Sequence, residues 1–220
     1  MAGIGFEIRK ILERNTYVSI LQAYGLAGII SSGPWVLSVI GVLIIGLSTQ
    51  SLIKDQFLIV QYLVSVTYLM ASSLILTGFL QLIFTRFIAD RLFEERKSVI
   101  LPNLMGAIWL VTCLSFIIGV VVLGILFEES LHYEMLMLAN FVVLCDLWIV
   151  VIFLSSMKAY LKIVGMFFLG YSIAVLSSVA LSGFGINGLL LGILLGHSYL
   201  FFGFFYIIIR EYPGSKFLSF

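Results

Sequence analysis

Two ionisable side chains sit where chemistry inside an apolar environment is possible. Asp146 lies in NFVVLCDLWIVVIF, from Asn140 to Phe153, and His197 closes GLLLGILLGH, which begins at Gly188. A carboxylate can hold a proton or pair with a cation, and an imidazole changes charge near neutral pH. Asp146 is in the middle of the apolar stretch Met135–Met157, about 16 Å from each end at the rise of a helix. His197 falls about 14 Å from the external end of its own stretch, so the two depths agree within a few ångströms. A charge at that depth costs on the order of 3 kcal/mol on insertion scales, so Asp146 should face a bundle interior or water. On its own helix it meets only Val142, Val143, Ile149 and Val150. His197 is therefore the expected partner, in an ion pair or a proton-linked switch. Two other arrangements fit the same residues: a neutral Asp146 hydrogen-bonded for packing, or one whose partner belongs to a further part of the protein.

Catalysis has less to stand on. Ser155 and Ser156 have no glycine beside them and no histidine aligned with them, and Asp146 has no second membrane aspartate. Cys113 and Cys145 both fall in apolar stretches and suit neither a disulfide framework nor a zinc site. GFGING, Gly183 to Gly188, has the glycine spacing of a dinucleotide fingerprint. That fingerprint works only after a strand and at the start of a cytosolic helix, whereas this one falls in a connection expected to be external. No enzyme, metal or cofactor is expected.

The elements that must position these residues follow from composition. Of 220 residues, 62% are hydrophobic and 10% charged, outside the range of soluble domains. A bilayer span takes about 20 mostly apolar residues. Six are read: Tyr24–Leu47, Ile59–Phe84, Leu104–Phe127, Met135–Met157, Val164–Ser182 and Gly188–Ile209. The expected fold is an all-α integral membrane protein, a six-transmembrane-helix bundle over 17–210 with a tail over 211–220. Before it, Ile4, Ile8, Ile11 and Leu12 recur at helical spacing against Glu7, Lys10 and Arg14, which predicts a short interfacial helix within 1–16 rather than a cleavable signal peptide. Eleven of the twelve Lys and Arg lie in the N-terminal segment, the second and fourth connections and the C-terminal tail; the other connections hold only Lys54. Both termini are thus expected to be cytoplasmic. A basic inner face suits anionic lipid headgroups, while bases spread over four short segments give no support to nucleic-acid binding.

Polar and small residues mark the expected interior. Pro34, in SSGPW, cannot donate to the carbonyl of Ile30 and should kink the first span, with Ser31, Ser32 and Gly33 suited to satisfying the freed backbone. In the second span, Gln61, Ser65, Tyr68 and Ser72 stack on one face, and Ser73, Thr77, Gln81 and Thr85 follow on a rotated one. Such groups serve either as hydrogen-bonded glue between helices or as the lining of a water-filled cavity. Gly188, Gly192 and Gly196 recur every four residues and let another helix approach closely.

The run MAGIGFEIRKIL, followed by QAYGLAGIISSGPWVLSVIG, closely resembles the start of the PelG-like family, the inner-membrane transporters of Pel exopolysaccharide systems. Gly3, Gly5, Phe6, Glu7, Arg9, Tyr24, Gly25, Gly28, Gly33, Pro34 and Trp35 carry the resemblance. It implies the multidrug/oligosaccharidyl-lipid/polysaccharide exporter superfamily: twelve helices in two six-helix halves around a central cavity, working by alternating access in a bacterial inner membrane. This chain would be the N-terminal half, completed by a second six-helix half or a second copy of itself. The implied cargo is a hexosamine-rich exopolysaccharide moving from cytoplasm to periplasm. The implied partners are a cytosolic glycosyltransferase and other Pel-type membrane components. A polar cavity edged with Tyr and Trp suits sugar, whose ring faces stack on aromatics. Two alternatives are small-molecule efflux on the same architecture and a scaffold that docks the glycosyltransferase through the charged loop Ala89–Pro102.

Overall fold

The structure, a computed structural model, describes residues 16–53, 55–126, 130–156 and 160–211. Six long α-helices account for nearly all of them: α1 (Tyr17–Thr49), α2 (Gln56–Phe93), α3 (Ile100–Leu126), α4 (Leu131–Ser156), α5 (Tyr160–Leu181) and α6 (Gly185–Glu211). Short 3-10 turns, Lys97–Val99 and Ser182–Phe184, lead into α3 and α6, and no strand occurs among the described residues. Tyr24–Leu47, Ile59–Phe84 and Gly188–Ile209 each fall inside one of these helices; the other three expected spans overrun theirs by one residue, Phe127 and Met157 lying outside the described residues and Ser182 in the second 3-10 turn. Four stretches are long and apolar enough to cross a membrane: Gln56–Phe93, Ile100–Ile125, Leu131–Ser155 and Lys162–Glu211, the last holding both α5 and α6. The chain is an all-α protein built for a membrane.

Local chemistry sets the helix ends. Thr16 starts α1 with a reciprocal cap: its N–H donates to Ser19 Oγ at 3.1 Å, and Ser19 Oγ donates to the Thr16 carbonyl at 2.7 Å. The Asp55 carboxylate accepts the Phe57 N–H at 3.0 Å and starts α2. The end of α2 differs from the expectation. The helix runs on to Phe93, so Ala89–Pro102 is no long loop and its first residues form the last turn of α2. Nothing between Phe84 and Phe93 breaks a helix, and Arg86–Asp90 (3.9 Å) and Arg91–Glu94 (2.6 Å) pair along it. The stop comes at Glu95, whose φ of 57° is left-handed. Arg96 N–H then bonds the Arg91 carbonyl at 3.0 Å and Glu95 N–H that of Leu92 at 3.3 Å, closing a Schellman motif usually built on glycine.

The helical backbone continues through Pro34, so this proline does not divide α1. Its side chain, with those of Ser31 and Ser32, lies outside the described residues, as do the interfacial helix expected within 1–16 (Thr16 apart) and residues 212–220.

The helix α4 is the centre of the bundle, packed on α2, α3 and α6, while α5 packs between α1 and α6. Leu144, Cys145, Leu147, Ile149, Val150 and Leu154 of α4 are all buried, which explains why its apolar residues run all round the helix. Aromatic pairs fill the neighbouring layers, Phe84 on Phe153 at 5.3 Å and Phe167 on Phe204 at 5.5 Å between ring centroids. The outer side of α3, with Trp109, Phe116, Ile117 and Ile125, is exposed, an arrangement suited to a surround of lipid tails.

Candidate functional site

Asp146 reaches the seam between α3 and α4. Its Oδ2 accepts the Thr112 hydroxyl at 2.8 Å. Its Oδ1 is buried with no hydrogen-bond partner. Ser115, one turn along α3, is the side-chain partner of Cys145 and returns a bond to the Thr112 carbonyl at 3.2 Å. Asp146 is 6% exposed, and its carboxyl is held by a single hydroxyl.

His197 belongs to a different seam. Its Nε2 shares a hydrogen bond with the Tyr171 hydroxyl of α5 at 3.1 Å, and the two rings meet edge to face. Tyr171 in turn pairs with Ser38 of α1, and Tyr62 of α2 lies within electrostatic reach of it. Four helices therefore meet at one buried polar cluster, in which the Tyr62 hydroxyl and His197 Nδ1 have no hydrogen-bond partner. The expected Asp146–His197 pair does not form: the described residues hold no ion pair between them. Equal depth does not make two residues neighbours, because α4 turns Asp146 toward α3 while α6 turns His197 toward α5. What joins α4 to α6 is Asn140, whose Nδ2 donates to the Leu190 carbonyl at 3.1 Å and to the Leu136 carbonyl at 2.9 Å.

The polar row of α2 divides between two environments. Ser65 is buried, shares a bond with the Tyr133 hydroxyl at 2.7 Å and donates to the Gln61 carbonyl at 2.6 Å. Ser73 accepts the Trp148 indole N–H at 3.0 Å, Thr77 donates to the Ser73 carbonyl at 2.7 Å, and Gln81 donates to Thr77 Oγ1 at 2.9 Å. These are satisfied bonds in and beside the α2–α4 seam. Tyr68 and Ser72 are on the outside, Tyr68 being 70% exposed. The six residues Gln61, Ser65, Tyr68, Ser72, Thr77 and Gln81 thus form no single lining. A groove of about 400 Å³ opens instead between α1 and α5, walled by Leu37, Ile40, Ile44, Phe168 and Leu176 and floored by Gly41 and Tyr171.

Glycines set how closely α6 approaches α5. A Cβ on Gly188 would strike the Leu181 carbonyl oxygen, one on Gly192 the Ser178 backbone, and one on Gly196 would stand 2.5 Å from the Ala174 Cβ. At Gly185 the φ of 63° follows the turn out of α5, a conformation glycine adopts without strain. Ser177 and Ser178 use the close approach to donate to the Gly192 carbonyl at 2.9 Å and the Leu189 carbonyl at 3.2 Å.

Sequence reading singled out neither Thr112 nor Tyr171, nor Ser38, Tyr133 or Trp148. The signal was present in part: each is a polar or half-polar side chain within an apolar stretch, and such a group needs a partner on another helix. Among the described residues no group of three or more His, Cys, Asp or Glu is placed to hold a metal ion.

A family model described as PelG, "Putative exopolysaccharide Exporter (EPS-E)", matches residues 1–220. No curated protein and no solved structure matches the chain. The chain belongs to the PelG family of exopolysaccharide exporters.

Proposed function

We propose that this chain is one six-helix half of a transporter that passes a hexosamine-rich exopolysaccharide from cytoplasm to periplasm by alternating access. Membership of an exporter family along the whole chain carries the reading. In it α1 to α6 each cross the bacterial inner membrane, both termini are cytoplasmic, and a second half or a second copy completes the cavity. Asp146 and His197 serve coupling and not contact with the polymer, since both are buried inside the half.

The outer side of α2 supports a passage on that side. Thr67, Tyr68 and Ser72 are exposed at the middle of a helix of membrane-spanning length. The Thr67 and Ser72 hydroxyls donate to the carbonyls of Leu63 and Tyr68, at 2.7 and 2.6 Å, which leaves exposed oxygens able to accept. Lipid tails offer nothing to such groups, whereas water and sugar hydroxyls supply donors and a sugar ring stacks on Tyr68.

The test is polymer export in a cell carrying the whole exporter. Tyr68→Ala combined with Ser72→Leu should lower secreted polymer severalfold at unchanged protein level, with polymer retained inside. Normal polymer secretion, with loss of resistance to a small amphiphilic compound, would replace this reading with small-molecule efflux.

A further inference from the structure

Asp146 is held in a way that suits a neutral acid. One oxygen takes the Thr112 hydroxyl at 2.8 Å, and the other is sealed from solvent with nothing bonded to it. A permanent anion in such a place needs a paired cation or several donors, and one hydroxyl falls short of that. The helices around α4 supply no counter-charge. From α3 come Thr112 and Ser115, while Cys113 points outward. From α6 comes His197, turned to Tyr171 of α5. From α2 come Tyr62 and Ser73, and its charged residues Arg86, Asp90 and Arg91 sit at the far end. On α4 itself Cys145 is taken up with Ser115. No Lys or Arg of the described residues pairs with Asp146.

The burial of Oδ1 also limits what could arrive from outside. A cationic side chain of another chain, or a hydrated metal ion, has no room beside an oxygen that is closed over. A proton fits. In addition, α3 packs mainly on α4, with only slight contact to α2, and about half of its described residues are exposed.

We propose that Asp146 is an exchangeable proton-binding site in the α3–α4 seam, occupied while the seam is closed and emptied to water when α3 moves away. The O–H bond of the acid breaks, its electrons stay on the carboxylate, and the proton passes to the entering water. This assignment holds whatever the protein carries and depends on no polymer.

The test is an infrared pH titration of the full chain in lipid membranes, grown with isotope-labelled aspartate. The chain has three aspartates, and Asp55 and Asp90 are exposed, so their bands mark hydrated acids. Asp146 should give a separate carbonyl band at the higher wavenumber of a sparsely hydrogen-bonded acid. Its acid-to-carboxylate ratio should fall about tenfold per pH unit through one transition. Asp146→Asn should remove that band, Asp146→Glu should move it out of the labelled set, and Thr112→Val should shift it. A carboxylate at every pH, or an acid band that no pH removes and heavy water does not exchange, would overturn the proposal. Both are read from the wild-type protein, so the result does not hinge on any variant folding.

Discussion

Gly196→Ala tests whether the α5–α6 seam is closed as tightly as its geometry implies. The new Cβ would stand 2.5 Å from the Ala174 Cβ and 2.8 Å from the Gly170 carbonyl oxygen. Carbon atoms rest at about 3.5–4.0 Å, so α6 must retreat from α5 by about 1 Å. A gap of that size forfeits about a quarter to a half of each displaced contact, and overpacking of this kind costs about 1–3 kcal/mol. Alanine returns about 1 kcal/mol of helix propensity, which leaves a net loss of up to about 2 kcal/mol. The same retreat would stretch the Tyr171–His197 bond from 3.1 Å to beyond hydrogen-bond length. Equilibrium unfolding in mixed micelles measures the difference, with Gly165→Ala as the control. A Cβ at 165 meets nothing within 4 Å, so that variant should match the wild type or exceed it slightly. Equal midpoints for the two variants would refute the reasoning, because the seam would then have slack that the geometry denies.

Two further expectations follow from the separate seams and from the distribution of bases. Asp146→Asn and His197→Ala should be additive in unfolding free energy within about 0.5 kcal/mol in a double-mutant cycle, since the residues share no partner; a larger coupling would restore the pair. Cysteines placed at Ser98 and Glu129 should react with an impermeant thiol reagent from opposite faces of intact cells, Ser98 from the cytoplasm; labelling of both from outside would contradict six spans with cytoplasmic termini.

Helix positions were legible because lipid-length apolar runs leave little choice of structure. Charge does not end a helix by itself: past Ile59–Phe84, α2 runs on at its C-terminal end to Phe93. Arg86, Asp90, Arg91 and Glu94 in fact pair along it, and the stop depends on a left-handed Glu95 that its residue type does not announce. The glycine spacing of 188, 192 and 196 gave the close side of α6, but not that α5 is the helix it meets. Partners of buried polar groups were the least legible. Depth along an axis can be counted from sequence, whereas the rotation of one helix against another is set by packing over all its neighbours. That is why Asp146 and His197, level with each other, bond in different directions, and why Ser65, Ser73 and Thr77 close onto α4 while Tyr68 and Ser72, on the same helix, face out.

The surroundings of the two buried ionisable groups also differ in what they let each group do. His197 sits behind a seam in which glycine backbones touch and two serines cross-link α5 to α6. Its Tyr171 partner is itself tied to Ser38 on α1. Moving His197 into water would require several such contacts to break together, so its natural work is to hold four helices in register. Asp146 faces the opposite case. Its only bond is to Thr112, on a helix that α4 alone holds in place along most of its length. Separating α3 from α4 costs the Thr112–Asp146 bond, the weaker Ser115–Cys145 bond and lipid-replaceable apolar contact, since tails are as apolar as the side chains they would displace. A charge that must appear and disappear during a transport cycle is more economically placed at such a loose seam than within a tight one. The contrast makes a specific demand: agents that thin or loosen the bilayer around α3 should alter proton exchange at Asp146 while leaving the Tyr171–His197 bond intact.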